Sequence, residues 1–367
     1  MTPNVVPRPE YPRPEARRDA WLCLNGEWGF EFDEKKLGLK EGWWGKPDFS
    51  KKITVPFVYQ SKLSGIDCQD IIDTVWYSKK FKVPEKYNDK RVLLHFGAVD
   101  YECNVFINGG FVGNHKGGLT PFKYDITDYL KDDKEGEQTL VVHVFDPPFD
   151  KSIPRGKQNT GLEMSGAMYE KVTGIWQTVW LEFVNDVYLD RSDYYIRADP
   201  ATGDVALSIQ IAGKAGPQHV VDAQAFDGDV PISEINFSWN GGQDFGAFNA
   251  YIELKLNVDP TKFETWSPEN PKLYTVKFRV IDGDSDDDDA VLDYLDCSFG
   301  FRSFETKGRK CYLNGKEFYF KMALYQGYWP TGVWTAPSDE DIKRDIELTK
   351  EMGFNSLRLH QRAEDPR

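Results

Sequence analysis

From Trp21 to about Phe299 the apolar residues of this chain recur in short runs with a period near two, and helical spacing enters only beyond Gly300. Residues 92–96 (Val-Leu-Leu-His-Phe), 103–107 (Cys-Asn-Val-Phe-Ile) and 140–145 (Leu-Val-Val-His-Val-Phe) are rich in β-branched and aromatic side chains. Each run is bounded by Gly, Asn, Asp or Pro, as strand and turn chemistry requires. Asn108-Gly109 directly after a strand predicts a tight hairpin, because both positions tolerate positive φ. A second set, 205–211, 250–256 and 274–280, alternates more strictly. Roughly seven such runs over about a hundred residues predict an immunoglobulin-like sandwich.

Beyond Gly300 the pattern changes. Residues 311–316 predict a hairpin and 318–323 (Phe-Tyr-Phe-Lys-Met-Ala) a buried strand. Ser338 followed by Asp339, Glu340 and Asp341 predicts a helix start, with acidic residues facing the positive end of the helix dipole. Ile342, Ile346, Thr349 and Met352 follow at helical spacing, Gly353 ends the run, and 355–360 predicts another strand. Strand, helix, strand is the unit of a parallel sheet. The expected organisation is therefore mainly β in three parts: 1–185, 186–300, and a short parallel α/β beginning over 301–367.

Bulk properties narrow the function classes. A net charge of −14 repels phosphate backbones and anionic lipid surfaces, so neither nucleic acid nor membrane is expected as partner. No run approaches the roughly twenty apolar residues of a membrane span. No apolar leader segment is read at the start, which leaves the cytoplasm as the default expectation. Cys23, Cys68, Cys103, Cys297 and Cys311 show no paired spacing, and the five histidines form no HExxH or HxH group. Free thiols, no metal site and no cofactor are expected. The acidic run 282–289 lacks the Gly and Glu of a calcium loop and predicts a solvated hairpin connection. Asn236-Phe237-Ser238 is a sequon, a motif short enough to arise by chance.

Several segments, in order, resemble glycoside hydrolase family 2, the family of β-galactosidases, β-glucuronidases and β-mannosidases. They include 21–28 (Trp-Leu-Cys-Leu-Asn-Gly-Glu-Trp), 96–101, 106–109, 117–122, 174–180, 266–274 and 300–302. The resemblance implies a jelly-roll, galactose-binding-like domain over 1–185. It further implies an immunoglobulin-like sandwich over 186–300 and the start of a (β/α)8 TIM barrel over 301–367. A barrel takes roughly 250 residues, so about sixty supply only its beginning. The implied activity is hydrolysis of β-linked glycosides with retention, by an acid/base and a nucleophile glutamate. No residue of this chain is assigned either role, so the catalytic set here is empty. The resemblance implies Arg358 as a substrate-binding candidate; Gln326 and Trp329, in the loop after the first strand of the implied barrel, and His360, two residues along from Arg358, join it by position and side-chain chemistry. The resemblance also implies a carbohydrate as partner, with homo-oligomer formation allowed. In β-galactosidase-like members an Asp is expected where this chain has Tyr325. Residues 155–158 (Arg-Gly-Lys-Gln) are expected to form a loop held by its own hydrogen bonds. The alternative reading is a non-catalytic double β-sandwich that binds carbohydrate or a protein.

Overall fold

The computed structural model describes residues 6–131, 136–162, 166–216, 218–239, 250–284 and 290–367. Its first layer pair is antiparallel. One sheet runs Phe122–Asp125, Arg91–Phe96, Val179–Val184, Trp21–Cys23; the other runs Lys51–Val55, Gly26–Phe32, Thr74–Phe81, Gln138–Phe145, Glu102–Ile107, Gly110–Lys116. Strand alternation sends Val75 and Tyr77 inward, where they meet Trp28, Phe30, Leu94, Phe96, Val142 and Leu181. Trp76 points the other way and is buried with Phe106 and Val141 beneath Trp43, Trp44 and Phe49. Asn108 (φ 51°) and Gly109 (φ 84°) make the expected hairpin.

The second sandwich pairs a sheet ordered Ala16–Arg17, Val291–Phe299, Tyr274–Asp282, His219–Asp227, Val230–Pro231 with a three-stranded sheet, Val187–Ala198, Asp204–Gly213, Ala250–Asn257. Its core follows the period of two, with Val205, Leu207, Ile209 and Ile211 facing Val276, Phe278 and Val280. The acidic run does connect two antiparallel strands; residues 285–289 lie outside the described set. Asn236 of the sequon gives its side-chain amide to the Lys255 carbonyl (2.9 Å).

The amino-terminal segment straps the two sandwiches together. Ala16 pairs with Cys297 in the second sheet, while Trp21–Cys23 pairs with Val179–Val184 in the first. Between them Arg18 lies against Glu182 and Asp293, and Arg191 holds Glu182 at 2.6 Å, all buried. The Tyr11 hydroxyl and the Trp180 indole also donate to Glu182 (2.9 and 3.0 Å). Despite burial, these partners hold the Glu182 carboxyl below its ordinary range.

The last part begins with a three-stranded meander, Phe304–Lys307, Lys310–Leu313, Lys316–Phe318. Strands Met322–Tyr325 and Ser356–Leu359 then pair in parallel across helix Asp339–Glu351. Ser338 caps that helix, its hydroxyl accepting from Asp341 N (3.2 Å), and Gly353 at φ 83° follows its end. The expected buried strand over 318–323 is corrected. Phe318 closes the meander, and the strand starts at Met322, with Met322 42% and Leu324 54% exposed. Its apolar pattern is that of a buried strand, yet the described residues supply no layer to cover it. The five cysteines are free: Cys103 and Cys297 are buried, the others half-buried.

Candidate functional site

The segment after strand Met322–Tyr325 folds back on the first sandwich. Trp334, 1% exposed, meets Trp176 edge-on at 5.0 Å within a cluster of Val58, Ala98, Val172 and Val333. The Thr335 hydroxyl lies 2.6 Å from the Trp176 carbonyl and 2.9 Å from that of Pro56. Leu63 N donates to Thr331 O (3.1 Å). Arg362 secures the turn from beneath. Its guanidinium donates to the carbonyls of Gly327 and Trp334, pairs with Glu364, and lies 5.4 Å from the Trp176 ring centroid. Such a planar cation can stack and hydrogen-bond at once.

Gln326 sits at the rim of this contact, its amide oxygen accepting from the Tyr169 hydroxyl of the first sandwich. Tyr169 stacks on Tyr328 at 4.2 Å. Trp329 is half-buried, its backbone exchanging hydrogen bonds of 2.7 and 3.0 Å with Val333. Arg358, in register with Leu324, is exposed, and none of the described residues gives its side chain a hydrogen bond or ion pair. His360 lies one residue past its strand, half-buried, its amide donating to Tyr325 O (2.9 Å). The Tyr325 hydroxyl donates to Asp345 (3.0 Å), and burial, then Glu364, raises its pKa. Gln326 is thus drawn to Tyr169, while among the described residues no hydrogen bond joins the four candidates to one another.

Beside Tyr169 the first sandwich opens into a cleft of about 240 Å³, its wall including Tyr59, Gln60, Asp70, Asn159, Glu170 and Lys171. Sequence reasoning missed these residues, because two connections between strands, far apart in the chain, bring them together. The 155–158 loop is not held only by its own bonds. Gln158 donates to buried Asp100 (2.6 Å) and accepts from Val172 N (2.7 Å). Asp146, behind the cleft, accepts from the Thr173 hydroxyl (2.7 Å), and burial pushes its carboxyl up to about 6. Burial and the Asp146 charge push Asp100 up as well. Among the described residues no three His, Cys, Asp or Glu side chains are grouped to hold a metal, and no helix is long and apolar enough to cross a membrane.

Two antiparallel sandwiches leading into a parallel strand–helix–strand unit, with the loop of that unit docked on the first sandwich, define a modular build of the kind found in large glycosidases. Residues 22–181 match the sugar binding domain of glycosyl hydrolases family 2, and 187–302 match a second domain of that family. The chain belongs to glycosyl hydrolases family 2. It is 29% identical to a β-galactosidase of Thermoanaerobacter pseudethanolicus, over 91% of this chain and 41% of that protein. It is 25% identical to a β-glucuronidase of Paenibacillus borealis, over 91% of this chain and 54% of the other. The crystal structure of Ruminococcus gnavus β-glucuronidase shares the fold, with a TM-score of 0.73 at 20% identity, covering 96% of this chain and 56% of that one. This chain therefore spans about half, or less, of the length of these proteins.

Proposed function

We propose that these residues form the amino-terminal portion of a retaining β-glycoside hydrolase, with domains at 1–185, 186–300 and 301–367. In this reading the last part starts a (β/α)8 barrel, and the acid/base and nucleophile glutamates belong to later barrel strands. Retention needs two carboxyl groups about 5–5.5 Å apart, one protonated and one ionised. Residues close in sequence, such as Glu364 and Asp365, cannot flank a sugar ring in that way.

The observation that carries the reading is the parallel pair with its helix. Met322, Leu324, Ile346, Met352 and Leu359 are exposed there, and the helix has no buried residue. An apolar cleft of about 350 Å³ opens nearby, lined by Trp266, Phe304, Phe318 and Phe320. Further barrel strands would cover such faces. Active sites of barrels form at the C-terminal ends of strands. Gln326 and Trp329 follow the first strand and His360 the second, positions suited to meeting a β-glycoside; Arg358 is proposed to orient substrate or a catalytic glutamate once the barrel surrounds it. The names of the relatives support a β-glycoside, β-galactoside-like, as substrate of the whole enzyme.

The test is a panel of aryl β-glycosides offered to the 367-residue chain. Release of the aryl alcohol no faster than in the blank is expected. Turnover would place working carboxylates inside this chain and overturn the reading.

A further inference from the structure

Arg8, in the amino-terminal segment, reaches both loops of the parallel unit and is 4% exposed. One guanidinium nitrogen donates to the Ala336 carbonyl (3.0 Å), in the loop after strand Met322–Tyr325. Another donates to Asp339 (2.7 Å), the first residue of the helix, and to Asp365 (3.3 Å), beyond strand Ser356–Leu359. A flat, permanently charged fork can serve three acceptors in different directions, which a single ammonium does poorly.

The backbone holds Arg8 in this place. Its φ of 49° is left-handed, uncommon for a residue with a Cβ. Buried Asn25 of the first sandwich donates from its side-chain amide to the Pro7 and Arg8 carbonyls (3.1 Å each) and accepts from Val179 N (3.1 Å). A second cation completes the cluster: Arg367 donates to Glu10 (2.9 Å) and lies 3.4 and 3.5 Å from Asp339 and Asp365. Asp339 and Asp365 come from different loops, and two carboxylates side by side repel unless cations stand between them.

We propose that Arg8 is a positioning residue for substrate binding: it fixes the spacing of the two loops that follow the parallel strands and ties them to the first sandwich. The inference rests on the hydrolase reading, in which loops at the C-terminal ends of barrel strands build the site. Gln326 and Trp329 lie on the loop that Arg8 holds at Ala336, and His360 on the segment it holds at Asp365. Arg362 holds the first of these loops from within the parallel unit, through Gly327 and Trp334. Arg8 adds the tie from one loop to the other. It acts through the side chains those loops carry and not by touching the sugar.

The experiment is amide hydrogen exchange of the 367-residue chain, read by mass spectrometry, for Arg8→Met and Arg8→Lys against the parent. The Thr335 amide, bonded to Gly332 O (3.1 Å), and the His360 amide, bonded to Tyr325 O (2.9 Å), report on the two loops. Arg8→Met is expected to speed exchange over 326–338 and 360–365 about five-fold or more, with strand Gln138–Phe145 unchanged. Arg8→Lys is expected to recover part of the protection. Asp365→Asn is expected to loosen 360–365 more than 326–338, and decides the matter if Arg8→Met does not fold. In the longer protein, Arg8→Met is expected to raise KM for an aryl β-glycoside about five-fold or more and to change kcat less than about two-fold. Loop exchange that these variants leave unmoved overturns the proposal. So does faster exchange spread evenly over the chain, or an unchanged KM in a protein whose loops have loosened. Aryl-glycoside turnover by the 367-residue chain itself sinks the hydrolase reading and leaves the loop exchange as measured, so the two fail separately.

Discussion

Arg362 illustrates how one side chain can hold a segment in place. It donates to the carbonyls of Gly327 and Trp334, pairs with Glu364, and covers the Trp176 ring. Replacing it with leucine leaves those carbonyls without a donor and Glu364 without its cation. Arg362→Leu is expected to cost about 3 kcal/mol. Arg362→Lys should recover less than half of that, because an ammonium cannot bridge two carbonyls and a ring at once. Urea midpoints of the three proteins check this; a lysine variant as stable as the parent would contradict it. Asp146 works in the opposite sense. Its carboxyl titrates at about 6 in the fold, against an ordinary 3.8. Folding therefore favours the protonated form, a contribution present below about pH 4 and lost as pH rises through 6. Asp146→Asn, which can still accept from Thr173, is expected to stabilise by about 2 kcal/mol at pH 7.5 and hardly at all at pH 3.5. An equal gain at both values would show that charge is not the cause.

At the scale of elements, what was legible in the sequence was local. The Asn108-Gly109 hairpin, the Ser338 cap and the alternating strands depend on neighbours in the chain, and each formed as expected. The exposure of Met322 and Leu324 was not legible, because a pattern shows which face wants burial and not whether a partner is present. The site was less legible still. Gln326 is a candidate from sequence, but its partner Tyr169 is 157 positions away, and the cleft wall comes from two separate strand connections. The last part is unevenly held, and its response to protease should be uneven too. Residues 326–337 and 362 pack on the first sandwich, whereas helix Asp339–Glu351 has no buried residue. Few buried contacts mean low local stability. Limited proteolysis is expected to cut within 304–325 and 339–355 before any site in 20–130 or 170–215. First cuts in the sandwiches, mapped by mass spectrometry, would contradict this.

For the molecule as a whole, the two sandwiches are complete cores, and the strap through Arg18 and Glu182 fixes one to the other. The parallel unit is different: it has two strands, one helix and open apolar faces. That contrast supports the proposal that the chain is the front of a larger hydrolase, with its catalytic carboxylates on strands that would cover those faces. The intact mass of the native protein tests that claim most directly. Capture from its source with an antibody against the first sandwich, followed by mass spectrometry, should give a mass well above 42.2 kDa. A native mass near 42.2 kDa would contradict the account and leave a binding protein without the hydrolase's chemistry.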